Sequence, residues 1–89
     1  MALVKKKLIV NNKQGLHARP AALFVQIANK FDSRITVSRD EEKVNGKSIM
    51  GILMLGAEQG SHIVIEAEGK DAELAISELE KIITKETQQ

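Results

Sequence analysis

The chain has 89 residues and contains no Cys, Trp or Tyr, so few side chains can carry covalent chemistry. One candidate is His17, in the run Gly15-Leu16-His17-Ala18-Arg19-Pro20. A neutral imidazole is a nucleophile available near neutral pH. Gly15 permits a backbone turn that other residues avoid. Pro20 fits the first turn of a helix, where its missing N–H removes no intrahelical bond. His17 therefore falls at a helix start, where unpaired N–H groups and the positive end of the helix dipole can meet an anion. That attraction is worth ~0.3–1 kcal/mol at an exposed site and up to ~2 kcal/mol when partly buried. Two residues on, Arg19 brings a planar, permanently charged fork suited to phosphate oxygens. A phosphoryl group on His17 would thus be stabilised only modestly, as a group that must leave again requires. The same residues also fit a polar histidine opening a helix beside a surface arginine, and spacing alone does not choose between the two.

Ser48 is the second candidate. It opens a compact apolar segment, Ile49 to Leu55, closed by Gly56, and its hydroxyl fits an N-cap. Gly46-Lys47-Ser48 resembles the end of a nucleotide-binding P-loop, but Glu41 stands where that motif needs glycine. Ile49, Met50, Ile52, Leu53, Met54 and Leu55 cannot all face the core from so short a helix. Ile49 and Leu53, four apart, are the residues expected to form an exposed docking patch beside His17. His62 is expected on the outward side of a strand with no Cys or second His near it, so it is read as surface and no metal site is assigned.

The elements that must position these residues follow from periodicity. Lys7 to Asn11 alternates, with Leu8 and Val10 on one face, as a half-buried strand requires. Asn11-Asn12-Lys13-Gln14-Gly15 is turn-rich. Apolar residues at 21, 24, 27, 28 and 31 then predict a helix from Ala18 to Phe31, stopped by Asp32-Ser33. Arg34 to Arg39 alternates with Ile35 and Val37 inward, and Asp40-Glu41-Glu42 turns it into a short strand around Lys43 to Asn45. His62 to Glu68 is the last strand, with Ile63, Ile65 and Ala67 on one side. Asp71 is placed to cap a final helix whose inner face is Ala72, Ala75, Ile76, Leu79, Ile82 and Ile83, and Thr84 to Gln89 is expected to fray. The result is a single α+β domain over residues 1–89, with helices covering one face of an antiparallel sheet. Periodicity leaves the strand order open.

Charge and composition exclude several functions. A net charge of +1 argues against a general polyanion binder, and there are no strand-centred aromatics on which to stack bases. The basic run Lys5-Lys6-Lys7 reads as a solvated strand end. Absent cysteine removes disulfides and thiolate metal sites, which fits a reducing compartment. No apolar run approaches the roughly 20 residues needed to span a bilayer, and the start lacks the apolar region of a signal peptide. The chain is expected to be cytoplasmic, to need no cofactor, and to bind proteins rather than nucleic acid or membrane.

Gly15-Leu16-His17-Ala18-Arg19-Pro20-Ala21 resembles the signature of HPr, the histidine-containing phosphocarrier family of the bacterial phosphoenolpyruvate-dependent sugar phosphotransferase system. Lys47-Ser48-Ile49-Met50-Gly51 with Leu55-Gly56 is similar to the family's second block, and Glu66-Ala67-Glu68-Gly69 to its fourth-strand exit. The resemblance implies an open-faced β-sandwich of topology βαββαβα, its four strands in the order 1-4-2-3 with three helices on one face. It implies that His17 accepts phosphate on Nδ1 from Enzyme I and donates it to Enzyme IIA domains, with Arg19 steadying the charge. The chain would then be a carrier with a phosphohistidine intermediate rather than a free-standing enzyme, and an exposed patch used for transient docking suits a monomer. It further implies that Ser48 is a substrate of HPr kinase/phosphorylase. Gln14 departs from the small polar residue or Asn common in the family, which bears on the loop and not on the chemistry. Two other functions fit the same residues: the carrier of the regulatory nitrogen branch, and a regulatory adaptor whose Ser48-phosphorylated form binds a transcription factor. One relative of the adaptor kind lacks the histidine that this chain retains at position 17.

Overall fold

A computed structural model of the chain describes residues 2–84. Its elements are β1 (Ala2–Ile9), α1 (Ala18–Ala28), β2 (Arg34–Arg39), β3 (Glu42–Asn45), α2 (Ile49–Leu55), β4 (His62–Gly69) and α3 (Ala72–Thr84). The strands form one antiparallel sheet in the order β1-β4-β2-β3, so β4 fills the slot between the first two strands. This is the open-faced sandwich that the resemblance implied.

The core lies between the sheet and the helices. Ile35 and Val37 of β2 and Ile63, Ile65 and Ala67 of β4 project toward it, and Leu8 and Val10 close one side. From above come Ala21, Phe24 and Ala28 of α1, Ile52 and Leu55 of α2, and Ala72, Ala75, Ile76, Leu79 and Ile83 of α3. Phe24 is the largest fully buried side chain, and the alanines let the helix backbones approach the sheet closely. Each fully buried Leu or Ile contributes about 1.5–3 kcal/mol relative to exposure.

Three sequence expectations are corrected. The first strand begins at Ala2 and ends at Ile9, instead of running from Lys7 to Asn11. Its lysines lie mid-strand rather than at a solvated end, and two of them are answered by an acidic neighbour. Lys5 pairs across the ladder with Glu66 at 3.6 Å, and Lys6 donates to Glu80 of α3 at 2.8 Å. The first helix ends at Ala28, and Phe31 lies beyond it, half-buried, because Asn29 closes the last turn with its N–H on Val25 O. Asp71 stands just before α3, and its carbonyl takes the Ala75 N–H, but its carboxylate reaches across the chain. It accepts from the Ser33 hydroxyl and from the N–H groups of Asp32 at 2.9 Å and Ser33 at 3.0 Å. The Ser33 hydroxyl first, then the Asp32 N–H, hold the Asp71 carboxyl below the usual aspartate range. Gly69 makes this corner possible: at φ 151° its absent Cβ would fall 2.8 Å from Ser33 Cα. Of the end expected to fray, Thr84 is still helical and its hydroxyl donates to Glu80 O at 2.8 Å, while 85–89 lie outside the described residues.

Candidate functional site

The loop from β1 to α1 is fastened on both sides. Val10 exchanges backbone bonds with the turn before β4, donating to Ser61 O at 2.9 Å and accepting from Gly60 N at 2.8 Å. Within the loop, Gly15 N donates to Asn12 O, and the Asn12 side-chain amide donates back to Gly15 O at 2.9 Å. Leu16, fully buried, donates its N–H to Ala57 O at 2.8 Å. Gly15 has φ 67°, and a Cβ there would lie 2.6 Å from Ala57 O. Only glycine satisfies both constraints, so the residue before Leu16 ties the site to the segment that follows α2.

His17 is the N-cap of α1, in extended backbone conformation (φ −127°, ψ 164°), and its side chain makes no capping hydrogen bond. Its carbonyl accepts from Ala21 N at 3.3 Å. Ala18 follows with φ 49°, a left-handed conformation that non-glycine residues rarely adopt and that costs about 1–2 kcal/mol. Among the described residues, the N–H groups of Ala18 and Arg19 make no hydrogen bond. Pro20 has none to offer. The helix therefore opens with unanswered donors on the residues that follow His17.

The ring of His17 is 40% exposed, yet its Nε2 is covered and lacks a hydrogen-bond partner. Nδ1 is left as the accessible ring nitrogen. Facing Nε2, at 3.7 Å, is Oε2 of Glu58. Arg19 is exposed and forms no ion pair among the described residues, so its guanidinium is available to an anion.

Ser48 caps α2 as expected, its Oγ accepting from Gly51 N at 3.0 Å, and Gly56 ends the helix with φ 62°. Lys47 donates from Nζ to Phe31 O, and Asn29 donates to Lys47 O at 3.1 Å, so the start of α2 is tied to the end of α1. Ser48 and His17 open separate helices, and no hydrogen bond or ion pair joins them. Ile49 and Leu53 are exposed at 41% and 40%, but Met50 and Met54 are more so, at 65% and 72%. The two methionines have the same four-residue spacing one position on. Their apolar character was visible in the sequence; the face they occupy was not. Glu58 was missed for another reason: its approach to His17 is through space, from the turn after α2, and no local pattern marks it. His62 is exposed, opposite Ile9 in the ladder. Among the described residues no group of three or more His, Cys, Asp or Glu side chains could hold a metal ion, and no helix is long and apolar enough to cross a membrane.

Comparison with known proteins agrees with this geometry. Residues 4–85 match the family described as the PTS HPr component phosphorylation site. An HPr-like protein Crh from Halalkalibacterium halodurans is 49% identical over 84 residues, which cover 94% of this chain and all of that one. The phosphocarrier protein HPr of Treponema pallidum is 46% identical over 80 residues, covering 90% of this chain and 91% of that one. Among solved structures, a phosphocarrier protein HPr from Bacillus anthracis superposes with a TM-score of 0.90 at 49% identity, covering 93% of this chain and 99% of that one. With a family match over nearly the whole chain and an HPr structure superposing on it, the chain belongs to the HPr family of phosphotransferase-system phosphocarriers.

Proposed function

We propose that this chain carries phosphoryl groups in the cytoplasm from Enzyme I to Enzyme IIA domains of a sugar phosphotransferase system, acting as a monomer through His17. The observation that carries the reading is the start of α1: an accessible Nδ1 beside two N–H groups that no side chain answers. The Nδ1 lone pair forms the new N–P bond as the donor's bond to phosphorus breaks. The phosphoryl oxygens then meet the Ala18 and Arg19 amides and the Arg19 guanidinium. All these groups are weak or exposed, so the phosphohistidine is held without being trapped. Labelling with phosphoenolpyruvate and Enzyme I tests this: acid-labile phosphate on the parent and none on His17→Ala is expected, and label surviving in the variant contradicts it.

Ser48 is the proposed regulatory site, modified by an HPr kinase/phosphorylase. Its Oγ already faces the Gly51 N–H, so a phosphate there would suit the start of α2 rather than unfold it. The burden would fall on docking, since about −1.5 to −2 charges would stand at the edge of the patch formed by Ile49 and Leu53. Ser48→Asp is expected to stay folded and accept phosphate from Enzyme I more slowly; an unchanged rate refutes this.

The similarity to an HPr-like Crh protein favours a second reading, a regulatory adaptor for a transcription factor. His17 and its open helix start are intact, which supports phosphotransfer as the primary role. The nitrogen branch is separated by which Enzyme I labels His17.

A further inference from the structure

We infer that Glu58 is a positioning residue for phosphoryl transfer, holding the His17 ring with its proton on Nε2 and facing the charge that develops there. This rests on the phosphocarrier reading of His17 and deepens it. The observation is a mismatch. Nε2 of His17 is covered from solvent and has no hydrogen-bond partner, while one carboxylate oxygen, Glu58 Oε2, lies 3.7 Å away. A buried ring nitrogen without a partner costs free energy unless some group answers it. Glu58 is the acidic group within reach.

The backbone of Glu58 is held firmly enough to aim that side chain. Its N–H donates to Ser61 Oγ at 2.9 Å, and its carbonyl accepts from Ser61 N at 2.9 Å. On the other side, Glu58 Cα lies 2.9 Å from where a Gly15 Cβ would stand, so the turn is pressed against the loop carrying His17. The neighbouring residue, Ala57, accepts the Leu16 N–H. One residue further back, Gly56 O accepts from Arg39 Nη1 at 2.8 Å. The carboxylate itself is mostly exposed and forms no other ion pair among the described residues, so it has no evident structural duty.

At 3.7 Å the contact is electrostatic rather than a formed hydrogen bond. A negative charge there favours the tautomer with hydrogen on Nε2, which leaves the Nδ1 lone pair free to attack. As the N–P bond forms, the pair of the breaking bond stays with the donor atom. The ring keeps its Nε2 proton and becomes positively charged. Glu58 faces that positive charge, and the interaction is stronger after attack than before it, as a rate effect requires. On outward transfer the N–P pair returns to Nδ1 and the ring is neutral again.

The test combines transfer kinetics with nitrogen-15 NMR of the His17 ring in mildly alkaline solution, on the parent, Glu58→Ala and Glu58→Gln. Both Glu58 bonds to Ser61 are made by backbone, so the fold is expected to survive, as a thermal melt will verify. Glu58→Ala is expected to lower kcat for acceptance from phosphorylated Enzyme I roughly twofold to fivefold, as suits one exposed charge. Its ring-nitrogen shifts are expected to move toward a mixture of tautomers. Glu58→Gln removes the charge at nearly constant size, and is expected to move both the shifts and the rate as Glu58→Ala does. Parental kcat in Glu58→Ala, a change confined to KM, or parental ring shifts in that variant would each overturn the inference. If the parent itself takes no label on His17, the phosphocarrier reading fails, and the ring shifts alone then decide whether Glu58 sets the tautomer.

Discussion

Helices α1 and α2 begin in opposite ways. At α2, Ser48 turns its hydroxyl onto Gly51 N–H and the helix start is answered from within. At α1 the N-cap is His17, whose side chain caps nothing, and the following Ala18 is held at φ 49°. Both N-caps are extended, so either could have carried a capping serine. One helix start is finished as structure; the other is left incomplete, with donors that a phosphoryl group can complete. The contrast sharpens at the Ser33–Asp71 corner, where a buried hydroxyl and two N–H groups converge on one carboxylate. Satisfied polar groups mark the scaffold, and unsatisfied ones mark the place where a mobile anion can bind.

The largest expected effect comes from exchanging the two kinds of helix start. His17→Ser supplies α1 with a cap and is expected to remove acid-labile labelling altogether. It should also raise stability in urea by about 0.5–1 kcal/mol, a gain typical of a new cap. Loss of label accompanied by loss of stability would break the comparison. The reciprocal change, Ser48→Ala, is expected to lower stability by about 1 kcal/mol, read from the same denaturation curve, and to leave His17 labelling intact. An unchanged midpoint would show that α2 does not depend on its cap.

The smallest effect is on acid stability. The Asp71 carboxyl is held below its usual range in the folded chain, so its contribution is fully present above the unfolded pKa. That contribution is lost as pH falls through the lower folded value. In Asp71→Asn this part of the acid-induced loss should be missing, and the slope of stability against pH below the usual aspartate range should be shallower. Parallel curves for variant and parent would show that the corner contributes no linkage.

Much of this is legible in the sequence. β2, α2, β4 and α3 follow from alternation or helical spacing because each buries a continuous apolar face. The strand order was not in the periodicity and came only through family resemblance. β1 was misplaced because its three lysines hide the alternation. Lys6 occupies an inward position at the sheet edge, where its stem can lie over the core and its ammonium reach Glu80. The sequence overextends α1 because Phe31 keeps the helical spacing after the four-residue bonds have given way to three-residue turns, with Lys30 N–H on Ile27 O and Phe31 N–H on Ala28 O.

At the site, His17, Arg19 and Ser48 could be read because they lie in short runs whose residue types explain one another. Glu58 could not, since it is 41 residues from His17 and meets it only when β4 has docked and drawn the preceding turn against Gly15. The carboxylate of Asp71 was misassigned for the same reason: a local pattern suggested a cap, and a distant hydroxyl and two distant amides claimed its oxygens.

The central claim is that the open donors of α1 take up the phosphoryl oxygens, and amide NMR during phosphorylation tests it most directly. On labelling with phosphoenolpyruvate and Enzyme I, the amide protons of Ala18 and Arg19 are expected to move strongly downfield, while that of Gly51, already bonded to Ser48, stays in place. Labelled His17 with those two amides unmoved would contradict the account.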